Sequence, residues 1–347
     1  MKKLLVFILS LTLVFALSAC GDDDEVTEVT ETFQVGLVTD LGGIDDKSFN
    51  QGTWEGVELF AAEVDLPEDN YRYLQSASDA DYLPNISAFS DEQLDLIIMP
   101  GFLFGDSLTE AAAIYPDQQY LIIDMVVVAD NVVSAVFAEH EGSFLAGVAA
   151  ALKAQEAGED TVGFIGGMDF GLIQKFEAGF EAGVWAVDPD MTVLVDYAGS
   201  FTDAQIGQTL AAKQYDAGAY VIFHAAGGTG NGLISEAKDR RAAGEDVWAI
   251  GVDKDQYEDG IYEGTDSAVL TSMMKRVDVA AYNVAMDTYE GNFPGGEILL
   301  FDLSNDGVGL PEVNPNLSDD IMAQVETYKA GLLDGTYTAP EVPVRLN

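Results

Sequence analysis

Short apolar runs alternate with segments of helical spacing along most of the sequence, and this alternation limits the folds open to the chain. Residues 33–38 and 94–99 are runs typical of strands buried on both faces, and each precedes a helical pattern. After a glycine- and alanine-rich helix at 139–153, the alternation restarts with a strand at 161–167. Strands alternating with helices predict an α/β fold with parallel sheets covered on both faces. Two similar halves predict two lobes with a cleft between them.

Residues 36–54 combine a strand, a glycine-rich loop and a helix, and the loop carries groups suited to a ligand. Gly42 and Gly43 break the extended pattern before the helix begins. In an open α/β sheet such a loop lies at the carboxyl end of its strand, where ligands bind. The alternative is a helix cap, because Asp is favoured there, with the aromatic residue in the core. The loop and helix start carry two acids, a ring and an amide: Asp45, Asp46, Phe49 and Asn50.

The charge excludes several classes of partner. The chain contains 60 Asp and Glu residues against 15 Lys and Arg, which gives a formal net charge of −45. Nucleic acid binding needs clustered cations, and docking on anionic lipid needs them too. The acids are dispersed along the chain, so we expect an acidic surface of the kind that suits a saline habitat. An ordinary acidic protein from a non-saline habitat is the alternative.

The N-terminal residues predict export and lipid anchoring. Residues 1–19 have a basic start and an apolar stretch too short for a spanning helix, as a signal peptide has. The sequence ending at Cys20 resembles a bacterial lipobox, in which the cysteine is lipidated. Residues 20–32 are predicted to be a charged, flexible tether. We therefore expect a protein held by lipid on the extracytoplasmic face of the cell membrane. Cys20 is the only cysteine, so an intrachain disulfide is impossible.

The glycine runs and the histidines do not predict a cofactor or a metal. The run at Gly163 lacks the third glycine of the dinucleotide fingerprint, and the run beginning at Gly227 does not end as a P-loop does. The backbone amides near Gly227 either face a ligand or form a tight turn. His140 and His224 are the only histidines and lie far apart in the sequence. We therefore expect neither a metal nor a cofactor.

One enzyme alternative comes from residues 38–46, which resemble the calcium loop of nucleoside hydrolases. In that loop an acid-rich run ends the first strand. Here Val38 stands in place of the first Asp, and the Pro-Gly pair is replaced by Leu41-Gly42-Gly43. Loss of a carboxylate ligand weakens a calcium site.

Seven motifs in order carry a second resemblance, which covers nearly the whole chain after the tether. They are GLVTDLGGIDDKSFNQGTWEG, EHEGSFLAGVAAALK, VGFIGGMD, KFEAGFEAGV, YAGSFTDAQIG, HAAGGTGNG and AIGVDKDQ. Together they resemble the basic membrane protein family of lipoproteins, the purine-nucleoside receptor group of ABC-transporter substrate-binding proteins. The resemblance implies a type I periplasmic-binding-protein fold, with two Rossmann-like lobes, parallel sheets and a hinged cleft.

The expected division of the chain follows from that fold. We predict a first lobe of residues 33–138, to which residues 267–291 return. The second lobe is predicted to contain residues 139–266 and 292–347. The resemblance implies a binding protein and not an enzyme, and we expect a monomer.

The resemblance also implies roles for residues whose motifs match. Asp46 and Asn50 are expected to bind the base, Asp253 to accept from the ribose diol and Lys275 to reach the ribose. Phe49 and Phe176 are expected to stack on the base, and Asp124 and Gly227 to make further contacts. These residue types suit a nucleoside, because rings stack on flat bases and carboxylates accept strongly from hydroxyls. Core packing is the alternative for Phe176, and a surface position is the alternative for Lys275.

The predicted function is capture of purine nucleosides (guanosine, inosine or adenosine) outside the membrane, for delivery to the permease of an ABC importer. Few cations lie near the motifs, which disfavours nucleotides because their phosphates would meet many acids. The calcium-dependent nucleoside hydrolase is one alternative. An extracytoplasmic nucleoside sensor with the same cleft is another.

Overall fold

The computed structural model describes residues 33–346. The predicted signal peptide (1–19), the tether (20–32) and the lipidation site at Cys20 therefore lie outside the described residues. Residues 33–346 belong to one compact unit.

The first part of the described chain alternates strands and helices as the sequence predicts. Its elements are β1 (Val35–Thr39), α1 (Phe49–Glu63), β2 (Tyr71–Gln75), α2 (Tyr82–Asp91), β3 (Leu96–Pro100), α3 (Gly105–Ile114), β4 (Tyr120–Ile123) and β5 (Val132–Phe137). All residues of β1, β3 and β4 are buried. These apolar runs form central strands because a parallel sheet is covered by helices on both faces.

The second part repeats this pattern and ends in a long helix. Its elements are α4 (Glu139–Ala157), β6 (Thr161–Gly166), α5 (Gly171–Val187), β7 (Thr192–Tyr197), α6 (Ala204–Asp216), β8 (Val221–Ala225), α7 (Gly230–Ala242), β9 (Trp248–Asp253), β10 (Ile261–Glu263), β11 (Asp266–Ser267), β12 (Val269–Lys275), α8 (Val277–Tyr289), β13 (Ile298–Phe301), β14 (Val308–Gly309) and α9 (Asp319–Leu333). Helix α7 is missing from the sequence prediction, because glycines at its start disfavour a helix.

Two six-stranded sheets form the centres of two lobes. The first sheet has the order β13-β5-β4-β3-β1-β2, and all its paired strands are parallel. The second has the order β14-β12-β9-β8-β6-β7, and only β14 is antiparallel to its neighbour. In each sheet the chain order reverses beside the first strand of the lobe, β1 or β6. Loops leave in opposite directions there and open a crevice for a ligand.

The structure corrects the predicted exchange of segments between the lobes. We assigned residues 267–291 to the first lobe, but β12 pairs with β9 of the second sheet. Only α8 of that segment returns, packing against α1. We assigned residues 292–347 to the second lobe, but β13 pairs with β5 of the first sheet. An apolar run fits either sheet equally well, so its partner is decided by the path of the chain.

Glycines bring α4 and α5 into backbone contact beside the passage from β5 into the second lobe. A Cβ on Gly183 would lie 2.0 Å from the carbonyl oxygen of Phe144, and one on Gly179 would lie 2.0 Å from that of His140. The carbonyl oxygens belong to the facing helix and cannot rotate away. The two helices therefore pack at a distance that only glycine allows at these positions.

We expect Gly183→Ala to lower the free energy of unfolding by about 3 kcal/mol, because overpacking forces the two helices apart. Gly171→Ala is the matched control on the same helix, since a Cβ there meets no described atom within 4 Å. The free energy of unfolding of this control should equal that of the wild type or slightly exceed it, because alanine favours helix more than glycine does. Chemical denaturation measures both. Equal stability of the two variants would contradict the close packing.

Candidate functional site

A cavity lies between the two sheets. The structure brings together all eight residues that the sequence analysis selected for ligand binding. They line this cavity from both lobes: Asp46, Phe49, Asn50, Asp124, Phe176, Gly227, Asp253 and Lys275.

The fold explains why these residues meet. Asp124 directly follows β4, Asp253 ends β9, and Gly227 lies just beyond β8. The carboxyl ends of parallel strands meet at one edge of a sheet. The two sheets turn these edges toward each other, so the loops of both lobes face the same cavity.

Asp46 forms a helix cap, which was the alternative to a ligand contact. Its carboxylate accepts hydrogen bonds from the backbone N–H groups of Ser48 (2.9 Å), Asn50 (2.9 Å) and Gln51 (3.1 Å). These groups open α1 and have no partner within the helix. Asp46 therefore stabilises the loop between β1 and α1, and its contact with a base remains a prediction.

The side chain of Asn50 joins the two acids of the same loop. Its Nδ2 donates to Asp40 Oδ1 (2.8 Å) and to Asp46 Oδ2 (3.0 Å), and its Oδ1 accepts from the N–H of Asp40 (3.3 Å). Both Nδ2 hydrogens are thus used inside the loop, while Oδ1 accepts one hydrogen bond there. A ligand can use the second acceptor position of Oδ1, but one that accepts from Nδ2 must share or replace a bond.

Asp124 and Asp253 occupy matching positions in the two lobes. Each follows or ends the fourth strand of its lobe, and each has a φ of 68°. A non-glycine residue rarely adopts this left-handed conformation, although Asp tolerates it better than most. Such conformations are held where the surroundings fix them, often at binding sites. The backbone therefore aims both carboxylates into the cavity from opposite sides.

Lys275 lies deeper than the surface position that was its alternative. Its side chain is 2% exposed, forms an ion pair with Asp124, and lies 3.9 Å from Glu139. Burial lowers the pKa of Lys275, but Asp124, Glu139 and Asp253 raise it by more, so the net pKa is above its ordinary value. The ammonium stays charged, and it lies 4.7 Å from the ring centroid of Phe49.

Two of the acids lining the cavity hold their protons more tightly than usual. Burial raises the pKa of Asp40 to about 6 despite hydrogen bonds from Gly42 and Asn50. Burial also raises the pKa of Asp253 to about 6, while Lys275 and the Ser48 hydroxyl oppose the shift. Both carboxyl groups are therefore mostly ionised at neutral pH and lose their charge in mild acid.

The loop between β1 and α1 also connects the lobes. The hydroxyl of Ser48 donates to the carboxylate of Asp253. Nδ2 of Asn231 donates to the carbonyl of Asp46 (3.0 Å), and Lys47 Nζ lies 2.9 Å from Asp259. One loop of the first lobe thus contacts three segments of the second lobe beside the cavity.

Further residues that were not predicted from the sequence also line the cavity. Asp40 directly follows β1, Phe102 comes two residues after β3, and Phe201 lies in the loop after β7. Phe102 contacts Phe170 of the other lobe, with ring centroids 4.1 Å apart. Each of them follows the carboxyl end of a strand, as Asp124 does, and this position is the sequence feature that could have identified them.

Phe176 combines both alternatives proposed for it. Its side chain lines the cavity, yet it is only 3% exposed and packs in the core, with its ring 6.4 Å from that of Phe223.

His224 is fully buried beside Gln256, and burial lowers its pKa to about 4, so it is neutral at pH 7. Within residues 33–346, no cluster of His, Cys, Asp and Glu suits a metal ion, and no helix has the length and hydropathy to span a membrane.

Comparison with solved structures supports the predicted fold. The chain resembles a crystal structure of ABC transporter solute-binding proteins from Aeropyrum pernix K1, with a TM-score of 0.77 and 28% sequence identity. The match covers 89% of this chain and 94% of the other. The fold, two Rossmann-like lobes of the type I periplasmic-binding-protein class, is thereby confirmed.

Comparison with protein sequences identifies the family. The chain is 42% identical to a CD4+ T-cell-stimulating antigen of Listeria innocua, over 99% of this chain and 100% of the relative. It is 37% identical to the ABC transporter nucleoside-binding protein BmpA of Lactococcus lactis, over 98% and 99%. It is 31% identical to basic membrane protein A of Borreliella burgdorferi, over 98% and 96%.

The family model for PnrA-like ABC transporter substrate-binding proteins matches residues 33–336. The resemblance drawn from the seven motifs is therefore confirmed. Proteins of this kind bind a substrate outside the cytoplasm and do not transform it, which excludes the nucleoside hydrolase. The chain belongs to the family of PnrA-like substrate-binding proteins of ABC transporters.

Proposed function

We propose that this protein is a lipid-anchored receptor that captures purine nucleosides in its cleft and presents them to the permease of an ABC importer. The observation that carries the proposal is the composition of the cavity. Aromatic rings lie beside carboxylates at the carboxyl ends of β4 and β9. A relative with 37% identity is named as a nucleoside-binding protein, which supports the same ligand class.

The rings suit a flat base. We propose that Phe49 from the first lobe and Phe176 from the second stack on the base, because both line the cavity, and Phe201 of the second lobe adds a partly exposed ring. Stacking of a base on an aromatic side chain contributes about 1–3 kcal/mol in proteins that bind single-stranded nucleic acid. The polar edge of the base would then hydrogen-bond with Asp46 and Asn50, which line the cavity beside Phe49.

The carboxylate of Asp253 suits the ribose. It already accepts a hydrogen bond from the hydroxyl of Ser48, which is the donor type that a ribose diol presents. Hydrogen bonds to an ionised acceptor are about twice as strong as neutral ones. The ammonium of Lys275 pairs with Asp124 and lies 4.7 Å from the ring centroid of Phe49. From this position it would donate a hydrogen bond to a ribose oxygen.

The charges around the cavity favour a nucleoside over a nucleotide. Among the described residues that line it, four carboxylates face a single lysine: Asp40, Asp46, Asp124 and Asp253 against Lys275. A phosphate would add negative charge to this set, and that repulsion is strong where water is excluded. A neutral ligand avoids it.

Asp253→Ala should weaken the binding of inosine and guanosine about 10- to 100-fold, the cost of one hydrogen bond to a charged group. Binding of hypoxanthine or guanine should change little, because a free base has no diol. Asp255→Ala is the matched control, since that exposed carboxylate only accepts from the N–H of Tyr257. Isothermal titration calorimetry measures all four ligands. Equal losses for bases and nucleosides would contradict the role of Asp253.

The ligand itself can be identified directly. Mass spectrometry of material released from the purified protein should detect a purine nucleoside. Incubation of the protein with inosine should release no free hypoxanthine. Recovery of a different small polar molecule would overturn the nucleoside assignment. Deletion of the permease distinguishes transport from sensing. Nucleoside uptake that depends on this protein should disappear if the protein is a transport receptor, and should be unaffected if it is only a sensor.

The lipid anchor is proposed from Cys20, which lies outside the described residues. Cys20→Ala should move the protein from the membrane fraction into the soluble fraction, because no other residue can accept the lipid by the same chemistry. Inosine binding by the released protein is the control that it still folds. A variant that stays with the membrane would show that something other than lipid on Cys20 holds it.

A further inference from the structure

Glu139 is a buried carboxylate next to the cavity to which the proposed function gives no role. It is the first residue of α4, two residues after β5, where the chain passes into the second lobe. Its side chain is 1% exposed, and neither oxygen accepts a hydrogen bond from another residue within 33–346. A buried carboxylate without hydrogen bonds is costly, so its retention calls for a partner.

Two lysines flank this carboxylate. Nζ of Lys275 lies 3.9 Å from Oε1, and Nζ of Lys175 on α5 lies 3.8 Å from Oε2. Lys275 therefore has two carboxylates on its ammonium, with Asp124 in direct contact and Glu139 slightly farther away. Glu139 does not line the cavity, so any effect on the ligand passes through Lys275.

The three charged groups belong to different lobes. Asp124 follows β4 of the first sheet, whereas Lys275 ends β12 of the second sheet. Glu139 starts α4, which packs against β12 and α5 of the second lobe. Opening of the cleft about a hinge would carry Asp124 with the first sheet and Lys275 with the second. Glu139 stays beside the lysine, where a buried ammonium without a partner would be strongly unfavourable.

We propose that Glu139 is the positioning residue for Lys275, holding its ammonium charged and oriented when the lobes open so that it is in place for the incoming ligand. The inference rests on the proposed nucleoside site and assigns to it a residue that never touches the ligand. Asp124 then serves as the partner of Lys275 in the closed arrangement, and Glu139 serves as the partner that travels with it.

The positioning role has a pH signature. Burial raises the pKa of Glu139 to about 7, with Lys275 and Lys175 opposing the shift and Asp124 adding to it. The charge is present above that pH and lost below it. The other groups near this cluster are Asp253 on β9, Glu341 beside Lys175, and His140 and Glu141 on α4.

Affinity of the wild type for inosine should therefore fall as the pH drops from about 8.5 to about 6.5, the window in which Glu139 takes up its proton. Burial raises the pKa of Asp40 and of Asp253 only to about 6, so most of their titration lies below this window. Burial lowers the pKa of His140, which moves its titration toward the acid side of this window.

The test is calorimetric titration of inosine at several pH values with three variants. Glu139→Gln should bind about tenfold more weakly at high pH, by analogy with metal sites, where loss of a residue that orients a ligand side chain costs about 10- to 100-fold. The affinity of this variant should not change across the window. Glu139→Asp keeps the charge and should restore the pH dependence. Glu141→Gln is the matched control, because Glu141 is on the same helix and accepts from the N–H of Leu303 (3.0 Å).

The outcomes separate the two proposals. A wild type that binds no nucleoside contradicts the proposed function. A wild type that binds inosine with the same affinity and pH profile as Glu139→Gln overturns the role of Glu139 alone. If Glu139→Gln fails to fold, the wild-type profile decides. A fall in affinity across the window supports the proposal, and a flat profile overturns it.

Discussion

Replacement of Lys275 by methionine should abolish nucleoside binding and lower the free energy of unfolding by about 3–5 kcal/mol at neutral pH. Breaking a buried ion pair costs this much because it leaves an uncompensated charge in a site with little water. Here the ammonium is 2% exposed and serves Asp124, Glu139 and Asp253 together. Methionine retains the apolar stem, so the expected loss reports mainly the charge.

The loss of stability should depend on pH. Burial raises the pKa of Glu139 to about 7 and that of Asp253 to about 6, and Lys275 lowers both. Without the lysine both values rise further, above those of the unfolded chain. A carboxyl group whose pKa is higher in the folded protein than in the unfolded chain stabilises the fold at pH values below its unfolded-state pKa. This stabilisation is lost as the pH rises through its folded-state pKa. The difference between variant and wild type should therefore shrink from about pH 8 to about pH 5.

Urea denaturation across this pH range and calorimetry with inosine measure the two effects. Lys213→Met is the matched control, because that side chain is 65% exposed and its pair with Asp196 lies at the surface. Exposed pairs contribute about 0–1 kcal/mol. The double variant Lys275→Met with Asp124→Asn should recover part of the stability, since it removes one unpaired acid. Wild-type stability and affinity in Lys275→Met would refute the central position of this lysine.

The melting temperature should rise by about 10 °C or more from low salt to molar KCl. A net charge of −45 repels itself more strongly in the compact state than in the unfolded chain. Screening shortens the reach of that repulsion, with a Debye length of about 10 Å at 0.1 M and about 3 Å at 1 M. For a domain of this size, several kcal/mol of relieved repulsion correspond to a shift of this order.

Sucrose is the control for this experiment, because it strengthens burial by exclusion from the surface without screening charge. A comparable rise in sucrose would assign the effect to burial and not to charge. A melting temperature that does not change with salt concentration would contradict the proposal of a saline habitat. Nucleoside affinity should survive molar salt, since stacking and buried hydrogen bonds are little screened. A collapse of affinity in folded protein would point to a charged ligand.

The strand and helix positions could be read from the sequence because each apolar run is local. The predicted helix at 139–153 lies within α4, and the predicted strand at 161–167 matches β6. Helix α7 was missed because Gly230 and Gly232 argue against a helix, and only packing explains them. A Cβ on Gly232 would lie 1.9 Å from the carbonyl oxygen of Ala204, and one on Gly230 would meet the ring of His224.

The candidate site was predictable where its residues lie within motifs at strand ends. Gly227 and Asp253 lie in two of the seven motifs, Asp124 is an acid at the carboxyl end of an apolar run, and all three line the cavity. Phe102 and Phe201 lie at equivalent ends, but nothing within a single segment shows that two lobes face each other there. The partner of a loop is set by long-range topology, which local patterns do not encode.

The sequence by itself therefore determined the α/β class, the two halves, the family and the residues at the carboxyl ends of the strands. These depend on periodicity and on motifs that lie within single segments. Only the tertiary structure decided that β12 stays in the second sheet, that β13 joins the first, and that Lys275 lies buried among carboxylates of both lobes. The physical reason is that strand pairing and burial depend on residues far apart in the chain, such as Lys275 and Asp124, which are 151 positions apart.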